Sequence, residues 1–220
     1  MEKIISIHTP KAAGTSFREI LFSAYGREKV LEDYAEDPVN PISKLHIDPK
    51  AYLRSPIDNL NNFNVVHGHF HPSKYSFIKD TTYITFLREP IDNILSIYYF
   101  WKNLEKGFHA LHDYFIDHKL SIIEFVELPA IRYLYSKCYF DSFDMKKFEF
   151  IGDFSCFNSE VHRLSLILNK QFNEKVYLNK TSHKFFIDEK DRIRGDKEKM
   201  HYLAAMLKED IQFYEQYRGR

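Results

Sequence analysis

Apolar and polar positions along this chain switch repeatedly between a two-residue and a 3.6-residue period. Lys3 to His8 holds a short β-branched run, and Thr15 to Tyr25 places Phe17, Ile20, Leu21 and Ala24 at helical spacing, so the chain opens as strand, loop, helix. From Gly26 to Asn64 the pattern weakens around Pro38, Pro41, Pro49 and Pro56, which predicts a loop-rich excursion with one short helix. Phe63 to Phe70 and Thr82 to Leu87 read as the second and third strands. Pro90 then suits the first turn of a helix, where its missing N–H is no loss, and that helix is expected to run to about Glu105. Ile122 to Val126 and Ala130 to Lys137 read as short helices and Phe148 to Gly152 as a fourth strand. Ser159 to Asn169 is amphipathic, with Val161, Leu164, Ile167 and Leu168 on one side, and Glu189 to Tyr217 reads as one long closing helix.

Strands separated by helices predict an α/β fold: a P-loop-like central sheet, mostly parallel, flanked by helices on both faces. No internal repeat, low-complexity tract or Gly/Ser-rich linker divides the 220 residues, so residues 1–220 are expected to form a single domain. In such sheets ligands bind outside the carboxyl ends of the strands. That rule gathers Thr9 to Ser16, His67 to His71 and Arg88 to Pro90 at one edge.

Charge and cysteine content narrow the class. Lysine plus arginine and aspartate plus glutamate both number 31, so net charge is zero and bulk attraction to nucleic acid or acidic lipid is excluded. No nucleic-acid partner is expected, and any anion must be held by local groups. Cys138 and Cys156 fit neither a disulfide scaffold nor a metal-ligand spacing, which suits a reducing compartment. No apolar run approaches the ~20 residues of a membrane span, and the N-terminus enters a strand without a signal pattern. The chain is therefore expected to be cytosolic, without an integral membrane segment.

Three stretches carry candidate chemistry. The first is "HTPKAAGTSF", His8 to Phe17, which is not the nucleoside-triphosphatase loop because Lys11 precedes the small residues instead of preceding the terminal Ser or Thr. Ala12, Ala13 and Gly14 let the backbone pass close to a ligand, the following helix presents its N-terminal N–H groups, and Thr15 and Ser16 add hydroxyls, so a phosphate fits. The alternative is a capped turn with Lys11 in solvent. The second is Arg88 with Ser96, about two helical turns apart, a pair that reaches one anion only if Arg88 folds back along the helix. The alternative is Arg88 paired with Glu89 or Asp92. The third is His67-Gly68-His69 with His71, which share a face if the strand stays extended. A metal site there lacks a Cys or carboxylate at fixed spacing, so none is assigned. A histidine at a strand end beside an anion cleft suits a general base, and a structural role is preferred for His71.

"HTPKAAGTSF", then "VVHGHF", then "TFLREPIDNILSIYY" resembles the sulfotransferase superfamily, and most of all its carbohydrate branch related to heparan sulfate 2-O-sulfotransferases. The resemblance implies binding of 3′-phosphoadenosine 5′-phosphosulfate (PAPS, with product PAP) by a Pro-Lys-x-x-x-Thr-Ser motif, matched by Pro10, Lys11, Thr15 and Ser16. It implies a second motif in Arg88 and Ser96 for the 3′-phosphate, and a catalytic base at His69, the second histidine of "HGH", with His67 orienting or polarising the site. "FEFIGDFSCFNSEVHRLSLIL" resembles the strand-loop-helix that follows, and "LNKTSHK" sits where a late loop closes over the nucleotide. Ala12-Ala13-Gly14 replaces the Thr-Gly-Gly of many relatives, a mild change because small residues still admit the backbone. The implied reaction transfers a sulfuryl group to an acceptor hydroxyl, on a glycan or glycoconjugate, with Lys11 stabilising the departing phosphate and no metal required.

Two rivals stand beside this reading. An atypical kinase on the same fold lacks the usual lysine order and a clear Mg-binding carboxylate. A catalytically silent module would keep the nucleotide or glycan affinity without turnover. Neither the acceptor nor the oligomeric state is legible, because Arg27 to Asn64 and Phe108 to Lys137 carry no readable motif.

Overall fold

A computed structural model describes residues 3–54, 59–172 and 184–220. Five parallel strands, β1 (Lys3–Ile7), β2 (Val30–Asp33), β3 (Val65–Gly68), β4 (Thr81–Leu87) and β5 (Phe148–Asp153), form one sheet in the order β2-β3-β1-β4-β5. β1 is central: Ile5 pairs with Val66 of β3 on one side and with Tyr83 of β4 on the other. The chain steps from β1 towards the β2 edge and later from β4 towards the β5 edge. Such a reversal opens a crevice at the carboxyl ends of the middle strands.

Period-two patterning divides the core into two layers. Ile4, Val65, Ile84 and Phe150 face α1 (Gly14–Tyr25), while Ile5, Val66, Tyr83 and Ile151 face the opposite layer. The numbered helices continue as α2 (Lys44–Ile47), α3 (Pro49–Arg54), α4 (Pro90–Lys102), α5 (Ala110–His118), α6 (Ile122–Glu127), α7 (Pro129–Arg132), α8 (Phe157–Ile167), α9 (Lys184–Gly195), α10 (Lys197–Met206) and α11 (Lys208–Tyr217). Helix α8 joins α1 on the first layer through Phe157, Val161 and Leu164, and Ile94, Phe115, Phe125 and Tyr214 pack into the other. Both faces are covered, as near-continuous apolar parallel strands require. No helix among the described residues is long and apolar enough to cross a membrane.

Some elements depart from the sequence expectation. The excursion from Gly26 to Asn64 contains the edge strand β2, whose four residues end in Glu32-Asp33 and therefore show no apolar run. It also holds two short helices, α2 and α3, instead of one. Helix α5 went unread; it begins where His109 caps it and buries only His112 and Phe115. The expected helix from Ala130 to Lys137 is a short α7 followed by a π-helical turn, Leu134–Tyr139. The closing helix is three, because Asp196 caps α10 through the Lys199 N–H and Leu207 turns the chain again before α11. "LNKTSHK", Leu178 to Lys184, lies outside the described residues save for its last residue, where α9 starts.

Edge strand β2 is locked to the sheet by a buried charge. The Asp33 carboxylate accepts from the Lys74 ammonium at 2.6 Å and from the Tyr75 hydroxyl at 2.7 Å, and all three residues are buried. Beside it, Gly68 admits the close approach of β2, because a Cβ there would stand 1.8 Å from the Asp33 carbonyl oxygen. Removing one partner of a buried pair leaves the other charge uncompensated, which costs about 3–5 kcal/mol. Asp33→Asn should therefore lower stability by that amount in urea unfolding, and adding Lys74→Met should recover most of it. An unchanged midpoint for Asp33→Asn would remove the pair as the lock of this edge.

Candidate active site

β1 ends where three strands meet. The His8 N–H donates to the Gly68 carbonyl at 2.8 Å, and the Thr9 hydroxyl donates to the Phe86 carbonyl at 2.9 Å, so the loop leaves the sheet between β3 and β4. Lys11 and Ala13 both adopt left-handed backbone, at φ 59° and 63°. Left-handed residues in such a turn swing successive N–H groups into a concavity suited to anions. Ala13 is the N-cap of α1 and offers no side-chain acceptor, so the first-turn donors are not capped by it. Gly14 is required by packing: a Cβ there would stand 1.7 Å from the His8 ring.

A cavity of about 700 Å³ opens over these strand ends. Pro10, Lys11, Ala13, Gly14, Thr15 and Ser16 line it from the loop and the start of α1, Arg88 from just past β4, Ser96 from α4, and His69 from just past β3. Arg88 and Ser96 thus line the same cavity despite their separation along the chain. Ala12 and His67 are not on the lining: Ala12 turns into the apolar layer behind α1, and His67 lies fully buried behind His8.

Arg88 turns to the loop after β1. Its guanidinium donates to the Lys11 carbonyl at 3.1 Å and lies 4.7 Å from the Phe154 ring centre, which ties the second motif to the first. Glu89 is occupied in capping α4 through the Ile91 and Asp92 N–H groups, and Asp92 pairs with Arg194 at 2.6 Å. Lys11 rests its ammonium 4.2 Å over the Phe100 ring. A third cation, Lys190 of α9, lines the same cavity. Among the described residues, none of these three forms an ion pair with a carboxylate. Burial, and then the neighbouring Arg88, lower Lys11 from the ordinary lysine range. Lys190 is pulled down to about 8, by burial first and then by Arg88 and Arg194. Crowded cations without an ion-paired carboxylate are an electrostatic arrangement that suits an anionic ligand.

The histidines divide by depth. His8 stacks on both His67 and His69, with ring centres 5.3 and 4.3 Å apart. Burial, reinforced by the neighbouring imidazoles, depresses His8, and burial pulls His67 to about 3, so both are neutral. His67 Nδ1 meets the Ser6 hydroxyl at 2.9 Å. His69 Nδ1 lies 2.6 Å from the His8 carbonyl oxygen, which can only accept, so this nitrogen carries the proton. The neutral ring then keeps its lone pair on Nε2. His71 is engaged through both nitrogens, with the Ser73 hydroxyl and the Asp141 carbonyl, which is a structural role.

The π-helical turn supplies residues that the sequence pattern hid. The Tyr135 hydroxyl accepts from the Arg88 N–H at 3.1 Å and donates to the Arg88 carbonyl at 2.9 Å, fixing the main chain of that arginine. One turn on, the Tyr139 hydroxyl lies 2.9 Å from His69 Nδ1 and donates to Asp37 at 3.0 Å. Asp210 of α11 holds the turn through the Tyr135 and Ser136 N–H groups. No local signal marks Tyr139, Asp37 or Lys190, whereas His8 was exposed to view as the residue closing the first strand.

No family profile matches the chain, and no curated protein matches it either. Among solved structures, a sulfotransferase from Alicyclobacillus acidocaldarius aligns at 13% identity and TM-score 0.44, over 94% of this chain and 96% of that one. The mouse sulfotransferase SULT7A1 complexed with PAP aligns at 12% identity and TM-score 0.39, over 90% of this chain and 66% of that one. At these values the alignments describe similarity of chain path and carry no function across.

An anion bound beside the depressed Lys190 would be bound with a proton linkage. An anion raises its pKa, so affinity is greatest below about 8 and falls as pH rises through that value. Calorimetric titration with adenosine 3′,5′-bisphosphate at pH 8, in two buffers of different ionisation enthalpy, should show uptake of about half a proton. Lys190→Arg should abolish the uptake. A buffer-independent heat in the wild type would separate Lys190 from the ligand.

Proposed function

We propose that the chain is a sulfotransferase that moves a sulfuryl group from PAPS to a hydroxyl of a carbohydrate or glycoconjugate acceptor, releasing PAP. The observation that carries this reading is the convergence on one cavity of two separate anion-binding elements, Lys11 with its loop and Arg88 with Ser96, beside a histidine whose proton is fixed on Nδ1. A nucleotide with phosphate groups at both its 5′ and 3′ positions needs two such elements.

The residues present fit that ligand. Lys11 and Arg88 lack carboxylate partners among the described residues, and the N-terminus of α1 carries no side-chain cap from Ala13. The loop Pro10, Lys11, Ala12, Ala13, Gly14, Thr15 and Ser16 would hold the 5′ end, Ala12 through its main chain only, and Arg88 with Ser96 would hold the 3′-phosphate. When bound, PAPS would supply a sulfuryl group on a phosphate leaving group, open to in-line attack by a hydroxyl.

The protein's own groups have distinct tasks. His69 Nε2 takes the proton of the acceptor hydroxyl, and Tyr139 with the His8 carbonyl holds the ring in the tautomer that leaves Nε2 basic. Lys11 and the N–H groups of the loop stabilise negative charge at the phosphate end. His67 touches no ligand in this scheme; it supports the ring of His8, which in turn stacks on His69.

Adenosine 3′,5′-bisphosphate should bind more tightly than ATP in parallel calorimetric titrations, and equal or tighter ATP binding would sink the proposal. Arg88→Ala should weaken the bisphosphate by roughly 1.5–3 kcal/mol, the worth of a charged hydrogen bond. An unchanged affinity would take Arg88 out of the site.

Sulfate transfer from labelled PAPS, measured across a panel of hydroxyl acceptors, tests the base. His69→Ala should lower turnover by about 10²–10⁴-fold while leaving bisphosphate binding nearly intact. Tyr139→Phe removes one hydrogen bond from the ring and should cost only about 0.5–1.5 kcal/mol in the rate. Near wild-type turnover in His69→Ala would show that the proton leaves by another route.

A further inference from the structure

The cavity is electrically two-sided. Lys11, Arg88 and Lys190 gather where the loop and α9 meet, each acting electrostatically on another of the three. Around His69 the lining changes character. Asp37 faces the cavity there, its Oδ1 held by the Val39 N–H at 2.9 Å and the Tyr139 hydroxyl at 3.0 Å. Among the described residues no lysine or arginine forms an ion pair with it. Arg18 reaches the cavity beside Glu32 and is already engaged, at 3.2 Å to Glu32 and 3.1 Å to Glu19.

His109 completes this side. As N-cap of α5 its Nδ1 accepts from the His112 N–H at 3.1 Å, so in the neutral ring the proton sits on Nε2, which can only donate. Burial holds the ring neutral by pulling it to about 4, against the opposing influence of Asp37. Phe108, 52% exposed, packs beside it with ring centres 4.8 Å apart.

A fixed carboxylate acceptor, a fixed N–H donor and an exposed aromatic face match a ring that carries hydroxyl groups and an apolar C–H face. A carboxylate or sulfate on that ring would meet Asp37, with which no cation among the described residues is ion-paired, and such like-charge contact is the usual means of rejecting a wrong partner. Resting on the sulfotransferase reading above, we propose that the acceptor is a glycosyl group without negative charge, bound through its hydroxyls by Asp37 and His109 and through its ring face by Phe108. Polyanionic glycans are rejected at this side of the cavity. Aspartate 37 is then a specificity-determining residue as well as a support for Tyr139.

The test compares matched ligands. Neutral cello- and malto-oligosaccharides, each beside its counterpart oxidised to the uronate at C6, are titrated calorimetrically into the protein in mildly acidic buffer with and without saturating adenosine 3′,5′-bisphosphate, with 4-nitrophenol, protonated and so neutral in that buffer, as a ring that is not a sugar. At least one neutral sugar should bind about 10-fold or more tightly than its uronate partner. Asp37→Asn retains an oxygen for Val39 and Tyr139, and it should narrow that gap several-fold. Equal or tighter binding of the uronates, an unchanged gap in Asp37→Asn, or binding of 4-nitrophenol but of no sugar overturns the inference, as does the absence of binding by every neutral sugar. Bisphosphate affinity is read separately: its loss removes the sulfotransferase reading, while the nucleotide-free titrations still decide the charge preference.

Discussion

The main chain of His8 holds the site together. Its N–H is bonded to Gly68 at the end of β3, and its carbonyl receives the ring N–H of His69 one residue further on. The residue that follows β1 therefore sets both the point where the loop leaves the sheet and the tautomer of the histidine on the cavity wall. Parallel pairing makes this possible, because β1, β3 and β4 all end at the same edge. The ring of His8 adds a second constraint. It occupies the space that any side chain at position 14 would need, so the glycine that opens α1 and the histidine that closes β1 are one packing unit.

Strain and charge are both concentrated at that junction. Non-glycine residues in left-handed backbone cost of order 1–3 kcal/mol each, and both Lys11 and Ala13 sit there. Three cations share the cavity without a carboxylate partner among the described residues, which adds mutual repulsion. Compensation comes from apolar burial elsewhere and from buried polar locks such as Asp33 with Lys74 and Tyr75, and Asp210 with the π-helical turn. A loop built against its own preferences, supported by a rigid sheet, is what a site organised in advance for an anion requires.

What the sequence revealed follows from the range over which each constraint acts. The strands β1, β3, β4 and β5 and the helix α1 were legible because each buries an apolar face at a fixed period, and the strand-loop-helix path of Pro10 to Ser16 because small residues separate those two periods. Arg88 and Ser96 were joined through the family resemblance, since spacing alone left Arg88 equally free to pair with Glu89 or Asp92. Tyr139, Asp37, His109 and Lys190 were not legible, because each acquires its place from a long-range contact: Tyr139 stands 70 residues from the histidine it touches. The edge strand β2 was hidden for a different reason. Its anchoring group is Asp33, a charge that sequence reading assigns to solvent and that the fold buries against Lys74.

Depth along one strand then distinguishes chemically identical side chains. His67 and His69 are two residues apart and project to the same face, yet His67 is only 1% exposed and ends against Ser6, whereas His69 reaches the cavity wall. His8 lies over both, so the three rings form a stack that grades from the core to the cavity. Desolvation keeps the inner two neutral, and the His8 carbonyl fixes the proton of the outermost ring on its inner side. The repeated histidine of "HGH" is thus not redundancy. The inner ring is packing, the outer one lines the cavity with its Nδ1 proton held by the His8 carbonyl, and the end of β3 at Gly68 is what separates the two environments.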